Sequence, residues 1–231
     1  MKKIISILIL FLSCYFIYNL TIDNELFYLS IGDGIAKGIT DDGNVSEYNY
    51  TDSIKYYLTS KNKLKGFNNS FVDKDYRITD LLRIIKYKEE IVVNNDHISI
   101  NELLKKADIV TISLGMNELY YKILVDNNNI YSYIDGMLSD MELLLKEVDR
   151  YNHKKVIVLG YYNTTDNNKD IFNYVNYKLK NIVNKRGFEF VDVDKIINNN
   201  TNYFTNNTNF YLNNGGYQKI SQIIVEKINK Y

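Results

Sequence analysis

The sequence predicts an α/β fold, a parallel sheet with helices on both faces, and three observations carry that expectation. Short apolar runs alternate with longer stretches of helical periodicity. The short runs are continuously apolar rather than alternating, which suits strands covered on both faces. No period of 20 to 50 residues repeats, so a solenoid is excluded. Strand and helix in alternation then imply a parallel sheet.

In chain order, residues 26–31 form the first compact apolar run, closed by Gly32. Helical periodicity appears next at 51–60, 79–86 and 100–106, and Ser99 with Glu102 has the spacing of a capping box for the last of these. Residues 108–114 are a second apolar run, closed by Gly115, and 155–159 and 188–193 are two more. Helices are expected at 130–151, 170–185 and 217–230. The asparagine runs at 127–129 and 198–200 read as loops.

Composition narrows the function. A chain of 231 residues with 45% apolar side chains has the length for one good core. Twenty-eight basic residues balance twenty-eight acidic ones, so no overall field draws the protein to nucleic acid. The single cysteine, Cys14, excludes an internal disulfide framework and a cysteine-built zinc site. Proline and tryptophan are absent while Asn, Ile, Lys and Tyr abound, a coding bias that argues against interpreting each Asn or Tyr singly.

Residues 1–23 read as a membrane anchor and 24–231 as the folded domain. Lys2 and Lys3 precede a charge-free stretch over 4–22, and a helix of that length spans about 28 Å, close to the hydrocarbon thickness of a bilayer. Positive charge at the extreme N-terminus exports the chain beyond Asp23. The alternatives are a lipoprotein modified at Cys14, for which Phe11-Leu12-Ser13-Cys14 is a poor motif, and a cleaved signal on a secreted protein, for which a small-x-small site is missing.

Ligands of such sheets sit at the carboxyl ends of the strands. After the first strand comes Gly32-Asp33-Gly34-Ile35-Ala36-Lys37-Gly38, which lacks the spacing of a dinucleotide fingerprint. After the 108–114 run comes Gly115-Met116-Asn117-Glu118, and Asn209-Phe210-Tyr211-Leu212-Asn213 precedes the last helix. In order and spacing these pieces resemble the SGNH/GDSL hydrolases, a family of acyl-ester hydrolases and lipases, over about residues 26 to 230. The resemblance implies a three-layer flavodoxin-like fold with a sheet of about five strands. Gly34 then stands at the position of the family's nucleophilic serine. Asp75, in Asp75-Tyr-Arg-Ile-Thr-Asp-Leu-Leu82, stands where the family has an oxyanion-hole glycine. Asn117 matches the oxyanion-hole asparagine, with Glu118 for the next, acidic position. Asn209, or Thr208 if the spacing is one longer, takes the aspartate position, and Tyr211 the histidine position.

The chemistry of that family needs a hydroxyl nucleophile, a base, a group that orients the base, and oxyanion donors. Gly34 has no side chain, and a tyrosine with an ordinary pKa near 10 is a poor base at neutral pH. His97 and His153 are expected on the surface, Ser30 and Ser113 inside strands, and Ser70 alone near the cleft. Asp33, Asp73 and Asp75 read as solvated loop acids, without the histidine or spaced cluster of a metal site. No cofactor is expected. Taken with that resemblance, the residues predict a catalytically inactive hydrolase fold at the membrane that binds a ligand, such as a small acyl ester or glycan, or a partner in the former ester cleft. An active acyl-ester hydrolase with a non-standard nucleophile is one alternative. An interaction scaffold whose cleft is filled by Tyr211 and Tyr121 is the other.

Overall fold

The computed structural model describes residues 25–164, 166–197, 200–204 and 210–229. Five strands, β1 (Leu26–Gly32), β2 (Leu64–Val72), β5 (Ile109–Ser113), β6 (Lys155–Leu159) and β7 (Glu189–Val191), make one sheet in the order β2-β1-β5-β6-β7, every neighbouring pair parallel. β3 (Glu90–Val93) and β4 (Asp96–Ser99) form a separate antiparallel hairpin. The helices are α1 (Gly34–Lys37), α2 (Tyr50–Ser60), α3 (Ile78–Tyr87), α4 (Ile100–Lys106), α5 (Met116–Val125), α6 (Ile130–Tyr151), α7 (Lys169–Lys185), α8 (Val193–Ile197) and α9 (Asn214–Asn229). α9 packs against α2 on one face; α3, α4 and α7 each pack against α6 on the other. Among the described residues no helix is long and apolar enough to cross a membrane, and the expected anchor at 1–23 lies outside them.

The continuously apolar runs become the central strands because both their faces are covered. Every residue of β5 is buried, as are Tyr28, Leu29 and Ile31 of β1. Withdrawing side chains of this size from water contributes about 1.5 to 3 kcal/mol apiece. β2 does not show that signature. As an edge strand it carries Asn68, Asn69 and Ser70 at its middle, and its register against β1 slips between Leu29↔Asn68 and Ile31↔Phe71. The Asn68 side chain accepts from the Ser70 N–H across this irregularity (3.0 Å), as a bulge requires of a polar neighbour.

The segment around His97 is a hairpin whose two-residue turn is Asn94-Asn95, both at positive φ (51° and 70°), and it leaves His97 exposed as expected. Two local expectations are corrected. The capping box at Ser99 and Glu102 does not form. Ser99 ends β4 opposite Glu90 and its side chain makes no capping bond, while Glu102 pairs with Lys105 at 2.7 Å. α9 begins three residues before the expected start, where the Asn213 side chain accepts from the Gly216 N–H (3.1 Å).

The chain leaves β1 first to β2 on one side and then to β5 on the other, so the topological switch lies between β1 and β5. Their carboxyl ends meet tightly. The Asp33 N–H donates to the Ser113 carbonyl (2.9 Å), and a Cβ on Gly32 would lie 2.2 Å from that oxygen, an approach only glycine permits. Gly115, at φ 94°, turns the chain from β5 into α5.

Candidate functional site

Asp33 holds the switch point together. It is fully buried, and its two carboxylate oxygens accept from Ile35 N (3.0 Å) at the start of α1 and from Met116 N (3.2 Å) at the start of α5. Burial pushes its pKa up to about 7, against the lowering effect of those backbone donors. This corrects the expectation of a solvated loop acid: the strand register carries Asp33 under the first turns of two helices. Asp73 fits that expectation better, being half-exposed and paired with Lys37 at 3.2 Å, which with the Asp75 N–H draws its pKa down against partial burial. Asp75 itself is exposed.

Gly34, Asp75, Asn117 and Tyr211 meet at this edge. Tyr211 lies in the segment that leads into α9, held by its neighbour Phe210, whose ring packs on Tyr120 (4.7 Å) and whose carbonyl accepts from the buried Tyr162 hydroxyl (2.6 Å). The Tyr211 ring covers Gly34 so closely that a Cβ there would sit 2.8 Å from its hydroxyl oxygen. That hydroxyl donates to Asn117 Oδ1 (3.3 Å), and its pKa is pushed up to about 12 by partial burial and by the nearby Asp33 and Asp75. It is a protonated donor, the opposite of a base.

The expected oxyanion donors are engaged inside the protein. Asn117 Nδ2 donates to the Lys74 carbonyl (2.6 Å), and the Asp75 N–H donates to the Asp73 carboxylate (3.0 Å). Glu118 accepts from the Ile78 N–H (3.0 Å), so it caps α3 from across the cleft, and burial raises its pKa. Asn209 and Thr208 lie outside the described residues. Ser30 and Ser113 are buried, and Ser70 lies on the edge strand β2. The His97 and His153 side chains are 69% and 78% exposed, so neither can serve as a base at this edge.

Beside Tyr211 a groove of about 560 Å³ remains open, with Lys74, Asp75, Arg77, Asn117, Tyr121 and Tyr133 among its lining. Sequence reasoning missed Tyr133 and Arg77, which belong to α6 and to the residue before α3 and reach the groove only through packing. Among the described residues no cluster of three or more His, Cys, Asp or Glu could hold a metal ion.

Known proteins share this architecture. A lipase from a goat rumen metagenome superposes with a TM-score of 0.71 at 16% identity, covering 87% of this chain and 96% of that one. The chain has the SGNH hydrolase fold. An acetylxylan esterase from Geobacillus stearothermophilus shares the fold at a TM-score of 0.64 and 16% identity, over 88% of this chain and 94% of that one. An α/β hydrolase from the metagenome of Lake Arreo does so at 0.62 and 15%, over 87% and 94%. No protein-family model matches the sequence, and no curated protein does.

Proposed function

We propose that this chain is a divergent member of the SGNH/GDSL hydrolase family, attached to the membrane through residues 1–23, that binds a ligand in the groove beside Tyr211 without hydrolysing it. The observation that carries the reading is that the site is closed upon itself: Tyr211 covers Gly34, and Asn117 Nδ2 and the Asp75 N–H are both turned to internal acceptors. An oxyanion hole needs free donors about 3 Å from the developing charge. The acetylxylan esterase offers a contrast, since its variants described as catalytic mutants replace a serine, an aspartate and a histidine. Here the positions that resemble the family's serine and histidine hold Gly34 and Tyr211.

The ligand that suits this groove is a glycan or a glycan ester. Tyr121 and Tyr133 offer aromatic side chains, and Arg77 and Lys74 offer hydrogen-bond donors at the rim. The scaffold reading is less favoured because Tyr211 fills the nucleophile position but leaves the groove beside it open. The test pairs hydrolysis of a small activated acyl ester with glycan binding by the same preparation. No turnover is expected, and binding should weaken at least tenfold with Tyr121→Ala and Tyr133→Ala together. Turnover that disappears with Ser30→Ala, Ser70→Ala or Ser113→Ala would overturn the inactive reading. Combining Gly34→Ser, Tyr211→His and Asn209→Asp should restore slow hydrolysis, with Asp75→Gly helping by removing a carboxylate near the oxyanion. Protease added to intact cells should release the domain from its anchor.

A further inference from the structure

The amino edge of the sheet, opposite the groove, carries a group of exposed lysines. Lys61, Lys63, Lys88 and Lys106 stand exposed in the turns that enter or leave this edge, and among the described residues none has a carboxylate within ion-pair distance. Lys154 and Asp108 pair with each other there, and Lys155 and Lys227 share Glu189. Among the described residues, Glu25, Asp96 and Glu226 are exposed acids on this side outside any ion pair, Glu90 faces His97, and Glu102, paired with Lys105, also feels Lys88 and Lys106. On the carboxyl edge the loop after α1 is acidic, with Asp41, Asp42 and Glu47, while Asp75 at the groove stands beside Lys74 and Arg77.

The chain enters the domain through the middle of the amino edge. Leu26 N donates to the Lys63 carbonyl (2.7 Å), and Asp108 N donates to the Phe27 carbonyl (2.9 Å), which sets β1's first residues between the starts of β2 and β5. Between the charge-free run ending at Ile22 and β1 stand only Asp23, Asn24 and Glu25. Even fully extended they reach about 10 to 14 Å, comparable to the Debye length of about 8 to 10 Å over which a charged surface acts. The opposite edge lies a strand length further out, roughly 23 Å for seven residues.

We propose that the lysine-bearing amino edge seats on anionic phospholipid headgroups and presents the groove away from the bilayer, toward ligands outside the membrane. The orientation rests on the anchor reading, while the lipid contact rests on the lysines. Basic residues near an anionic surface each strengthen binding by roughly fivefold, and the acidic loop after α1, at the far end of the strands, is repelled by the same surface. The likeness to lipases in fold does not then imply a membrane-lipid ligand, because the groove faces the wrong way to receive one.

The test uses the full chain with Cys14→Ser, so that a fluorophore can be placed singly through Ser60→Cys at the amino edge or Tyr121→Cys at the groove. Each is mixed with vesicles of phosphatidylcholine alone or with 30% phosphatidylglycerol, both carrying a headgroup quencher. Flotation with neutral vesicles reports the anchor separately. The expected result is stronger quenching at 60 than at 121, increased by phosphatidylglycerol. Lys61→Gln, Lys63→Gln, Lys88→Gln and Lys106→Gln together should return it to the neutral-vesicle value, as should raised salt. Quenching at 60 that ignores phosphatidylglycerol and the lysines would overturn the lipid contact while leaving the anchor intact. Equal or stronger quenching at 121 would overturn the orientation. Binding to anionic vesicles without flotation on neutral ones would remove the anchor and support the lysine contact.

Discussion

Two layers of the same sheet edge differ sharply. The lower layer, Asp33 beneath the first turns of α1 and α5, is a complete frame: buried, hydrogen-bonded across the switch point, and placed where α/β sheets bind ligands. The upper layer is made of side-chain contacts alone: the Tyr211 ring lies over Gly34 and its hydroxyl donates to Asn117. The comparison teaches that folding and chemistry draw on different atoms here. Backbone amides and a buried carboxylate fix the edge, while reactivity depends on side chains that can change without disturbing it.

The lower layer is the place to break the fold. Asp33→Ala strands the N–H groups of Ile35 and Met116 in a buried site, where each unsatisfied donor costs about 1 to 3 kcal/mol. A loss of roughly 3 kcal/mol is expected in chemical denaturation, and a loss under about 1 kcal/mol would show that the frame does not depend on Asp33.

The same carboxyl gives a pH signature. In the unfolded chain it titrates near 3.9, whereas folding raises it to about 7. Between those values the native state holds a proton that the unfolded state releases, so Asp33's contribution is fully present below about pH 4. It falls as the pH rises and levels off above about 7. Over about three pH units this amounts to an order of 4 kcal/mol at most. Comparing denaturation at pH 4.5 and 7.5 for the natural chain and Asp33→Asn should show the fall only with the aspartate. Parallel curves for the two would contradict the assignment.

The upper layer should respond more gently. Gly34→Ser brings a Cβ against the Tyr211 ring and should destabilise by about 1 to 2 kcal/mol, as overpacking does. Tyr211→Ala in the same chain should relieve most of that, giving a coupling energy of about 1 kcal/mol in a double-mutant cycle. Strict additivity would mean that the ring simply swings away. The smallest effect belongs to a place where sequence pattern and structure part. Ser99→Ala should change stability by less than about 0.5 kcal/mol, where a working N-cap would cost about 1 kcal/mol.

The positions of Gly34, Asp75, Asn117 and Tyr211 at one edge were legible as a pattern of blocks, because residues just past the ends of parallel strands share an edge whatever their separation in sequence. Their hydrogen bonds were not legible. Whether Asn117 faces a ligand or the Lys74 carbonyl depends on a loop 43 residues away, and no local spacing encodes that. The hairpin at 90–99 and the edge strand β2 were missed for a related reason: half-exposed strands mix polar and apolar residues, so their period is weak.

By itself the sequence determined the covered strands β1, β5 and β6 and helices such as Ile130–Tyr151, since continuous apolar runs and a 3.6-residue period are local consequences of burial. It also determined that Gly34 cannot attack a carbonyl. Only the tertiary structure decided that Asp33 is buried rather than solvated, that Tyr211 lies over Gly34, and that Ser99 ends a strand instead of capping a helix. Those outcomes depend on which segments pack together, and the desolvation and close contacts they bring exist only once distant parts of the chain have met.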